Sequence, residues 1–186
     1  MSRISRGILR IFGWRVVGVV PPIDKMIVIG APHTSNWDFP LALLTASALR
    51  IKIRWLGKHS LFKWPVRWLM RLLGGIPVDR NHPGGVVGDA RQAFETENRL
   101  VLAIAPEGTR SPQERWKSGF YRIARSAGVP VLLAAFDGAR KEVRIGPAID
   151  LSDDARRDMD RIRAFYEEIR GVKEGNESQM RLAEER

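Results

Sequence analysis

Near its start the chain reads Lys25-Met-Ile-Val-Ile-Gly30 and continues directly as Ala31-Pro-His-Thr-Ser-Asn-Trp-Asp38. The first run is mostly apolar and predicts a buried β-strand, whereas the second is rich in turn and capping residues and predicts a loop. A helix is predicted next, from Trp37 to Arg50. Three residues of types that favour a helix N-cap stand just before it: Thr34, Ser35 and Asn36. A strand, a loop and a helix in this order are typical of an α/β domain.

Two side chains in this loop are candidates for proton transfer, His33 and Asp38, five positions apart. On a continuous helix that spacing would separate them by about 140°, so we expect His33 on the loop and Asp38 in the first helical turn. Histidine exchanges protons near neutral pH, and a carboxylate on its other ring nitrogen would fix the tautomer. The pair therefore suits a general base with its orienting carboxylate. A histidine with an ordinary structural role explains so short a motif as well, and from these residues alone both interpretations stay open.

The composition restricts the kinds of binding partner and of catalytic or metal site that the chain can have. The 186 residues fit one domain with a substantial core, and 31 Lys plus Arg against 21 Asp plus Glu give a formal charge of +10. That charge favours an anionic partner, which is nucleic acid, a phosphate-bearing substrate or an anionic lipid surface. The absence of cysteine excludes disulfides, thiolate metal sites and a cysteine acyl-enzyme. Because His33, His59 and His82 lack the spacing of metal ligands, we predict no metal.

The N-terminal segment, residues 1–20, predicts a basic amphipathic helix. From Ser2 to Arg15, apolar residues recur at largely helical spacing with arginines between them. Such a helix either packs on its own domain or lies in a membrane interface, and the pattern favours neither. Arg10 interrupts the apolar run and no small-residue cleavage site follows, which argues against a signal peptide. No run of about 18 apolar residues occurs, so we expect no segment to span a bilayer. The absence of cysteine is compatible with a reducing compartment, and we expect a cytoplasmic protein that associates peripherally with the membrane.

The segment from Ser60 to Leu73 has a second pattern of this kind. Lys63, Arg67 and Arg71 recur every four residues. Bulky apolar side chains fill the positions between them: Phe62, Trp64, Trp68, Leu69, Leu72 and Leu73. We predict one helix here, and for most of the aromatic rings a place in the core is slightly favoured over contact with lipid. Tryptophan at a lipid–water boundary is the alternative.

The remaining chain alternates between strand and helix patterns. The predicted strands are Arg15–Val20, Met26–Gly30, Ile51–Leu56, Ile76–Val78, Leu100–Ala105, Val129–Phe136 and Lys141–Ile145. The other predicted helices are Val86–Asn98, Gly119–Ala127 and a charged one from Asp153 to about Gly171, capped by Ser152. We therefore predict a single α/β domain, residues 21–171, whose mostly parallel central sheet is flanked by helices. The polar tail, residues 172–186, is expected to fray.

Several chemistry-bearing residues follow predicted strands: His33, Arg80, Glu107 and Arg110. Ligands of open α/β sheets bind outside the carboxyl ends of the strands, so these residues can converge although they are far apart in sequence. The guanidinium groups could bind a phosphate through paired hydrogen bonds. Taken singly, each residue also has a plain structural explanation, such as a surface ion pair or a turn.

Four blocks occur in one order: His33-x4-Asp38, Gly75-Ile-Pro-Val-Asp-Arg80, Glu107-Gly-Thr-Arg-Ser111 and Val129-Pro-Val131. In this order they resemble the glycerolipid acyltransferase family that includes lysophosphatidic acid acyltransferases. The resemblance covers roughly residues 25 to 140. Two features depart from the family: Pro32 stands where asparagine is usual, and the chain has no spanning helix, unlike many relatives.

The resemblance implies an activity, with His33 as the general base for a glycerol hydroxyl that attacks an acyl thioester and Asp38 as its orienting group. The donor would be acyl-CoA or acyl-carrier protein, with no bound cofactor, and the acceptor a lysophospholipid such as lysophosphatidate at a membrane surface. Lys58, Arg80 and Arg110 match positions that bind phosphate. Gly108 and Thr109 belong to the same motif as Glu107, whose role is less settled: it holds the arginine loop or the acceptor.

A thioester needs only a deprotonated attacking hydroxyl and stabilisation of the oxyanion, for which we expect backbone N–H groups near His33. The opposing hypothesis is a basic module that binds nucleic acid or another anion without catalysis. No motif for base recognition is evident, so we expect no nucleic-acid partner. A serine hydrolase is the other enzyme alternative, but the chain has no Gly-x-Ser-x-Gly elbow, and Ser35 and Ser111 look like cap or turn residues.

Overall fold

The structure is a computed structural model that describes residues 2–78 and 85–185. In these ranges one sheet has seven strands, in the order β1-β7-β6-β2-β5-β3-β4. Their bounds are β1 Arg15–Val17, β2 Lys25–Ala31, β3 Ile53–Lys58, β4 Gly75–Val78, β5 Leu100–Ile104, β6 Val131–Asp137 and β7 Glu142–Ile149. Among these strands the neighbours pair in parallel except β6 with β7. The predicted α/β domain with a mostly parallel sheet is confirmed.

Helices cover both faces of the sheet. They are α1 Ser2–Ile11, α2 Asp38–Leu49, α3 Arg67–Leu72, α4 Gly85–Thr96, α5 Gly119–Ala127 and α6 Ala155–Tyr166. Side chains of β2 alternate between the faces: Ile27 and Ile29 join the core cluster that contains Phe120 and Tyr166. Met26 instead packs in a second cluster, with Val101 and Leu132. This burial on both sides makes β2 a rigid central strand, and the loop that carries His33 begins at its end.

The predicted N-terminal amphipathic helix is present as α1, and it packs against α2. Leu9 is buried in the cluster with Leu41, and the hydroxyl oxygens of Ser5 and Ser47 lie 2.8 Å apart. The helix ends at Ile11, earlier than predicted, because Gly13 follows with a φ of +76°. Three large apolar side chains of this region face solvent: Ile4, Ile11 and Phe12. Thus α1 both packs on the domain and leaves apolar surface uncovered.

The prediction of one helix from Ser60 to Leu73 is wrong. A short 3₁₀ helix at His59–Phe62 and the six-residue α3 take its place. Pro65 lies between them, and proline has no N–H to donate to the preceding turn of a helix. The regular spacing of the basic residues therefore does not correspond to one continuous helix.

The tryptophans of this segment lie at the surface, so their predicted place in the core is also wrong. Trp64 is 90% exposed and Trp68 is 67% exposed, whereas Phe62 is buried and stacks on Trp55. Smaller apolar side chains beside them are exposed too: Leu61, Val66 and Leu72. In the described part of the chain, none of the helices combines the length and the apolar character that crossing a bilayer requires.

Helix α6 and its cap differ from prediction. Asp154, not Ser152, is the N-cap, and its carboxylate accepts a hydrogen bond from the Arg157 N–H at 3.0 Å. The hydroxyl of Ser152 instead donates to Asp158, which is buried. The helix ends at Tyr166 rather than near Gly171.

The tail after residue 171 packs on the domain, in contrast to the frayed segment that its polar composition indicated. Leu182 is only 4% exposed and joins the main core cluster. The Trp116 N–H donates to the Arg181 carbonyl at 3.0 Å, so the tail shares backbone hydrogen bonds with the loop after β5. We call residues 171–182 the C-terminal strap.

Leu182→Ala tests this packing. Removing a buried leucine side chain should lower the free energy of unfolding by about 2 kcal/mol or more, because the core is left with a cavity. Urea denaturation of the full chain measures it. Leu72→Ala, on a side chain that is 74% exposed, is the matched control and should change stability by less than about 0.5 kcal/mol. Equal effects of the two substitutions would show that the tail does not pack.

Candidate active site

The site forms where parallel strands end at one edge of the sheet. Strand β2 lies between β6 and β5, so the loops that leave β2 and β5 emerge side by side. His33 follows β2 by two residues, and Glu107 follows β5 by three. The two groups are 74 positions apart in sequence and in direct contact, because the sheet register brings their loops together.

The predicted His33–Asp38 pair forms. His33 Nδ1 lies 3.0 Å from Asp38 Oδ2, with Asp38 buried and the imidazole partly accessible. The same oxygen accepts the backbone N–H groups of Thr34 and Ser35, each at 2.8 Å. Because Nδ1–H donates to Asp38, the neutral ring carries its lone pair on Nε2. The geometry therefore gives a histidine with one fixed nitrogen and one nitrogen able to accept a proton.

None of the three residues predicted as N-cap candidates, Thr34, Ser35 and Asn36, is the N-cap of α2. The N-cap position of α2 is Trp37, and it makes no side-chain capping bond. Asp38, at the first position of the helix, instead folds the preceding loop back through the N–H groups of Thr34 and Ser35. The carboxylate that orients the imidazole thus also fixes the loop carrying it.

Glu107 holds this loop from the other side. Its side chain is 1% exposed, and Oε2 accepts the backbone N–H of His33 at 2.5 Å. Burial raises the pKa of this carboxyl to about 7, an effect that the His33 N–H and the His33 side chain partly offset. The Glu107 side chain thus binds the main chain of His33, a contact that the sequence motif did not indicate.

The backbone N–H groups that we expected to serve as oxyanion donors are committed elsewhere. Those of Thr34 and Ser35 bind Asp38, and that of His33 binds Glu107. Because each bond fixes the loop, these three groups do not point at a reacting carbonyl. The expectation is wrong for them.

Gly108 and Thr109 form the turn that presents Arg110. Gly108 has a φ of +68°, and a Cβ there would lie 2.8 Å from Lys117 Nζ, so glycine suits both the conformation and the space. The Thr109 hydroxyl accepts the Ser111 N–H at 3.4 Å. The side chain of Arg110 is exposed at the end of this turn. Direct binding of substrate by Gly108 or Thr109 stays a prediction.

A cavity of about 410 Å³ lies beside the His33 loop. Its lining residues are Thr34, Ser35, Asn36, Trp37, Arg110, Ser111, Lys173 and Asn176. The structure thus brings Arg110 to the residues that follow the histidine, as predicted from the shared sheet edge. Sequence reasoning missed Lys173 and Asn176, and no local signal marks them, because Lys173 contacts a residue 139 positions away.

The other predicted residues lie partly outside the described ranges. The backbone of Lys58 ends β3 at the same edge of the sheet, but its side chain is not among those described. Arg80 lies outside the described residues altogether. Their phosphate-binding roles stay predictions. Across residues 2–78 and 85–185, no three His, Cys, Asp or Glu side chains converge as a metal site would require.

Three comparisons with known proteins find acyltransferases. A sequence family described as Acyltransferase matches residues 15–136. A curated 1-acyl-sn-glycerol-3-phosphate acyltransferase of Streptococcus pneumoniae is 25% identical over 167 residues, with 80% of this chain and 62% of the relative covered. The chain therefore spans 62% of the length of that relative.

A solved structure shows the same fold. It is the crystal structure of the 1-acyl-sn-glycerophosphate (LPA) acyltransferase PlsC from Thermotoga maritima, with a TM-score of 0.60 and 23% sequence identity. The match covers 90% of this chain and 73% of that one.

The buried carboxyl of Glu107 should make stability depend on pH. Its pKa is raised from 4.5 to about 7, so between these values the folded chain keeps a proton that the unfolded chain has released. At low pH, where both states are protonated, this group therefore does not change the free energy of unfolding. As the pH rises from 4.5 to 7 the group lowers that free energy, by up to about 3 kcal/mol above pH 7. Glu107→Gln, which keeps the shape without the charge, should match the wild type near pH 4.5 and exceed its free energy of unfolding near pH 8.

Urea denaturation at both pH values measures this difference. Glu114→Gln, at an exposed position, is the matched control and should show no such pH dependence. A Glu107→Gln effect that is the same at both pH values would show that burial does not raise the pKa of Glu107.

Proposed function

Because the chain belongs to the acyltransferase family, we propose that it moves a fatty acyl group from a thioester donor to a hydroxyl of a lysophospholipid such as lysophosphatidate. The donor is acyl-CoA or acyl-carrier protein, used as a substrate. The observation that carries the proposal is the 3.0 Å contact between His33 Nδ1 and Asp38 Oδ2, which leaves Nε2 able to accept a proton. The residues that directly follow His33, Thr34–Trp37, line the cavity. The names of the curated relative and of the structural neighbour support the choice of acceptor.

In the proposed reaction His33 Nε2 takes the proton of the acceptor hydroxyl while its oxygen attacks the thioester carbonyl carbon. The tetrahedral intermediate collapses, the C–S bond breaks, and the departing thiolate takes the proton from the imidazolium. Asp38 stabilises that imidazolium through Oδ2. The acyl group passes directly between substrates, and the chain has no cysteine on which a thioester intermediate could form.

Arg110 is proposed to bind the phosphate of the acceptor, together with Lys58 and Arg80. The support is the place of Arg110 in the cavity lining, next to Thr34–Trp37. A guanidinium group there can form paired, charge-assisted hydrogen bonds with phosphate oxygens.

We also propose that the protein works at an anionic lipid surface, where lysophospholipid acceptors reside. Exposed apolar side chains occur on α1 and around α3, and basic residues lie between them. Trp37 is exposed and lines the cavity, so one of these apolar side chains lies at the site itself. Apolar insertion and attraction to anionic headgroups would act together.

His33→Ala should lower the rate of acyl transfer by about 10²- to 10⁴-fold, because the general base is lost, with the fold preserved. Asp38→Asn should also be severely impaired, since it removes the charge that stabilises the imidazolium. Thiol release from acyl-CoA in the presence of lysophosphatidate measures the rate. His59→Ala, at an exposed histidine, is the control and should keep wild-type activity. Near-normal turnover by folded His33→Ala protein would contradict the mechanism.

Flotation with vesicles that contain anionic lipid tests membrane docking. Substituting both Trp64 and Trp68 by Ser should weaken binding roughly tenfold or more, because each fully buried aromatic contributes about 1.5–3 kcal/mol. Raised salt should weaken it further. Ile11→Ser with Phe12→Ser tests the α1 end without removing the helix.

Val19→Ser, also at an exposed apolar residue, is the control for lost surface hydrophobicity and should not change flotation. Equal flotation of the wild type and both double variants would show that these surfaces do not bind lipid. Absence of flotation by the wild type would contradict the proposed membrane binding.

A further inference from the structure

The C-terminal strap crosses the edge of the active site and binds the loop that carries His33. The Lys173 N–H donates to Thr34 Oγ1 at 3.0 Å, and Asn176 Nδ2 donates to the Thr34 carbonyl at 3.4 Å. At Gly171 an added Cβ would lie only 2.5 Å from the Thr34 side chain. The strap therefore packs directly against this loop, and Thr34, the residue after His33, makes the contacts that hold the strap in place.

Polar and charged residues of the strap line two different cavities. Lys173 and Asn176 line the cavity beside His33. Glu174 and Glu177 line a different cavity, of about 760 Å³, between the strap and α6. Glu177 is further committed to the strap itself, because its carboxylate accepts the N–H groups of Gly171 at 2.9 Å and Gly175 at 2.7 Å. Neither glutamate lines the active-site cavity.

Among the described residues that line the active-site cavity, the charged ones are Arg110 and Lys173, both positive. Hydroxyl and amide groups make up most of the remaining lining. A phosphate monoester carries about −1.5 to −2 charge at neutral pH and offers three acceptor oxygens, so it matches two cations better than one. The cavity has the charge and the donors that such a group requires.

We propose that Lys173 is a second cation, beside Arg110, for the phosphate of the acceptor, so that the strap completes the acceptor site. The proposal rests on the proposed acyl transfer. It concerns a segment beyond residues 15–136, the part of the chain that matches the family. Lys173 is a binding residue that selects phosphorylated acceptors over neutral ones.

The position of the cavity favours the acceptor over the donor as the source of this phosphate. Thr34–Trp37 directly follow the base, so an anion bound there lies close to His33. In a glycerol phosphate only a few bonds separate the hydroxyl from the phosphate. In both thioester donors the long pantetheine arm separates the reacting carbonyl from the phosphates, which places them farther away.

Calorimetric titration of the full chain with glycerol 3-phosphate tests the proposal without catalysis. Lys173→Gln should raise the Kd roughly tenfold or more, because a charge-assisted contact is lost. Lys173→Arg should recover most of the affinity. Lys52→Gln removes an exposed lysine just before β3, at the opposite edge of the sheet, and should leave the Kd unchanged. Titration with coenzyme A should give the same Kd for the wild type and Lys173→Gln.

Three results would overturn the proposal: no binding of glycerol 3-phosphate by the wild type, an unchanged Kd for Lys173→Gln, or a loss of affinity for coenzyme A instead. In turnover, Lys173→Gln should raise the KM for lysophosphatidate, leave kcat close to that of the wild type, and leave the KM for a monoacylglycerol unchanged. If the wild type transfers no acyl group to any acceptor, the proposed function fails, whereas the glycerol 3-phosphate titration still decides the role of Lys173.

Discussion

One carboxylate oxygen, Asp38 Oδ2, fixes the local structure on which the site depends. It accepts hydrogen bonds from the His33 ring and from the N–H groups of Thr34 and Ser35, so ring orientation and loop conformation are set together. A side chain of the same size without the charge would keep the volume but weaken all three bonds. The imidazole is therefore held in a single orientation by a group that is buried at the start of a helix and cannot easily move.

This loop is also the point where distant segments meet. Glu107, from the loop after β5, holds the His33 N–H, and the C-terminal strap holds Thr34 one residue later. The hydroxyl proton of Tyr166, at the end of α6, is shared between the carbonyl oxygens of Ile29 and Ala134, each 3.1 Å from the hydroxyl oxygen. His33 therefore lies on a loop, but the conformation of that loop is fixed by the central strands, the loop after β5 and the C-terminal strap.

The features that could be predicted from the sequence are those that depend on residues close together in the chain. Strand β2 was predictable because a short run of apolar residues determines it locally. The His33–Asp38 pair could be proposed because both residues lie within one short stretch of chain, but the family resemblance was needed to choose it over a histidine with a structural role. The strap was not predictable, because its contacts with Thr34 join residues about 140 positions apart and its composition is polar. Trp64 and Trp68 were assigned wrongly because an amphipathic pattern shows that one face is apolar and does not show what covers that face.

The tautomer of His33 is the most direct test of a base held by Asp38. Long-range nitrogen-15 NMR on histidine-labelled protein, recorded at about pH 8 where an ordinary imidazole is neutral, distinguishes the two ring nitrogens. Comparison with His33→Ala identifies the His33 signals among those of the three histidines. We expect the proton of His33 on Nδ1, with Nε2 unprotonated, and loss of this preference in Asp38→Asn. A wild-type His33 protonated on Nε2 would contradict the account, because the nitrogen that must accept the proton of the acceptor hydroxyl would already carry one.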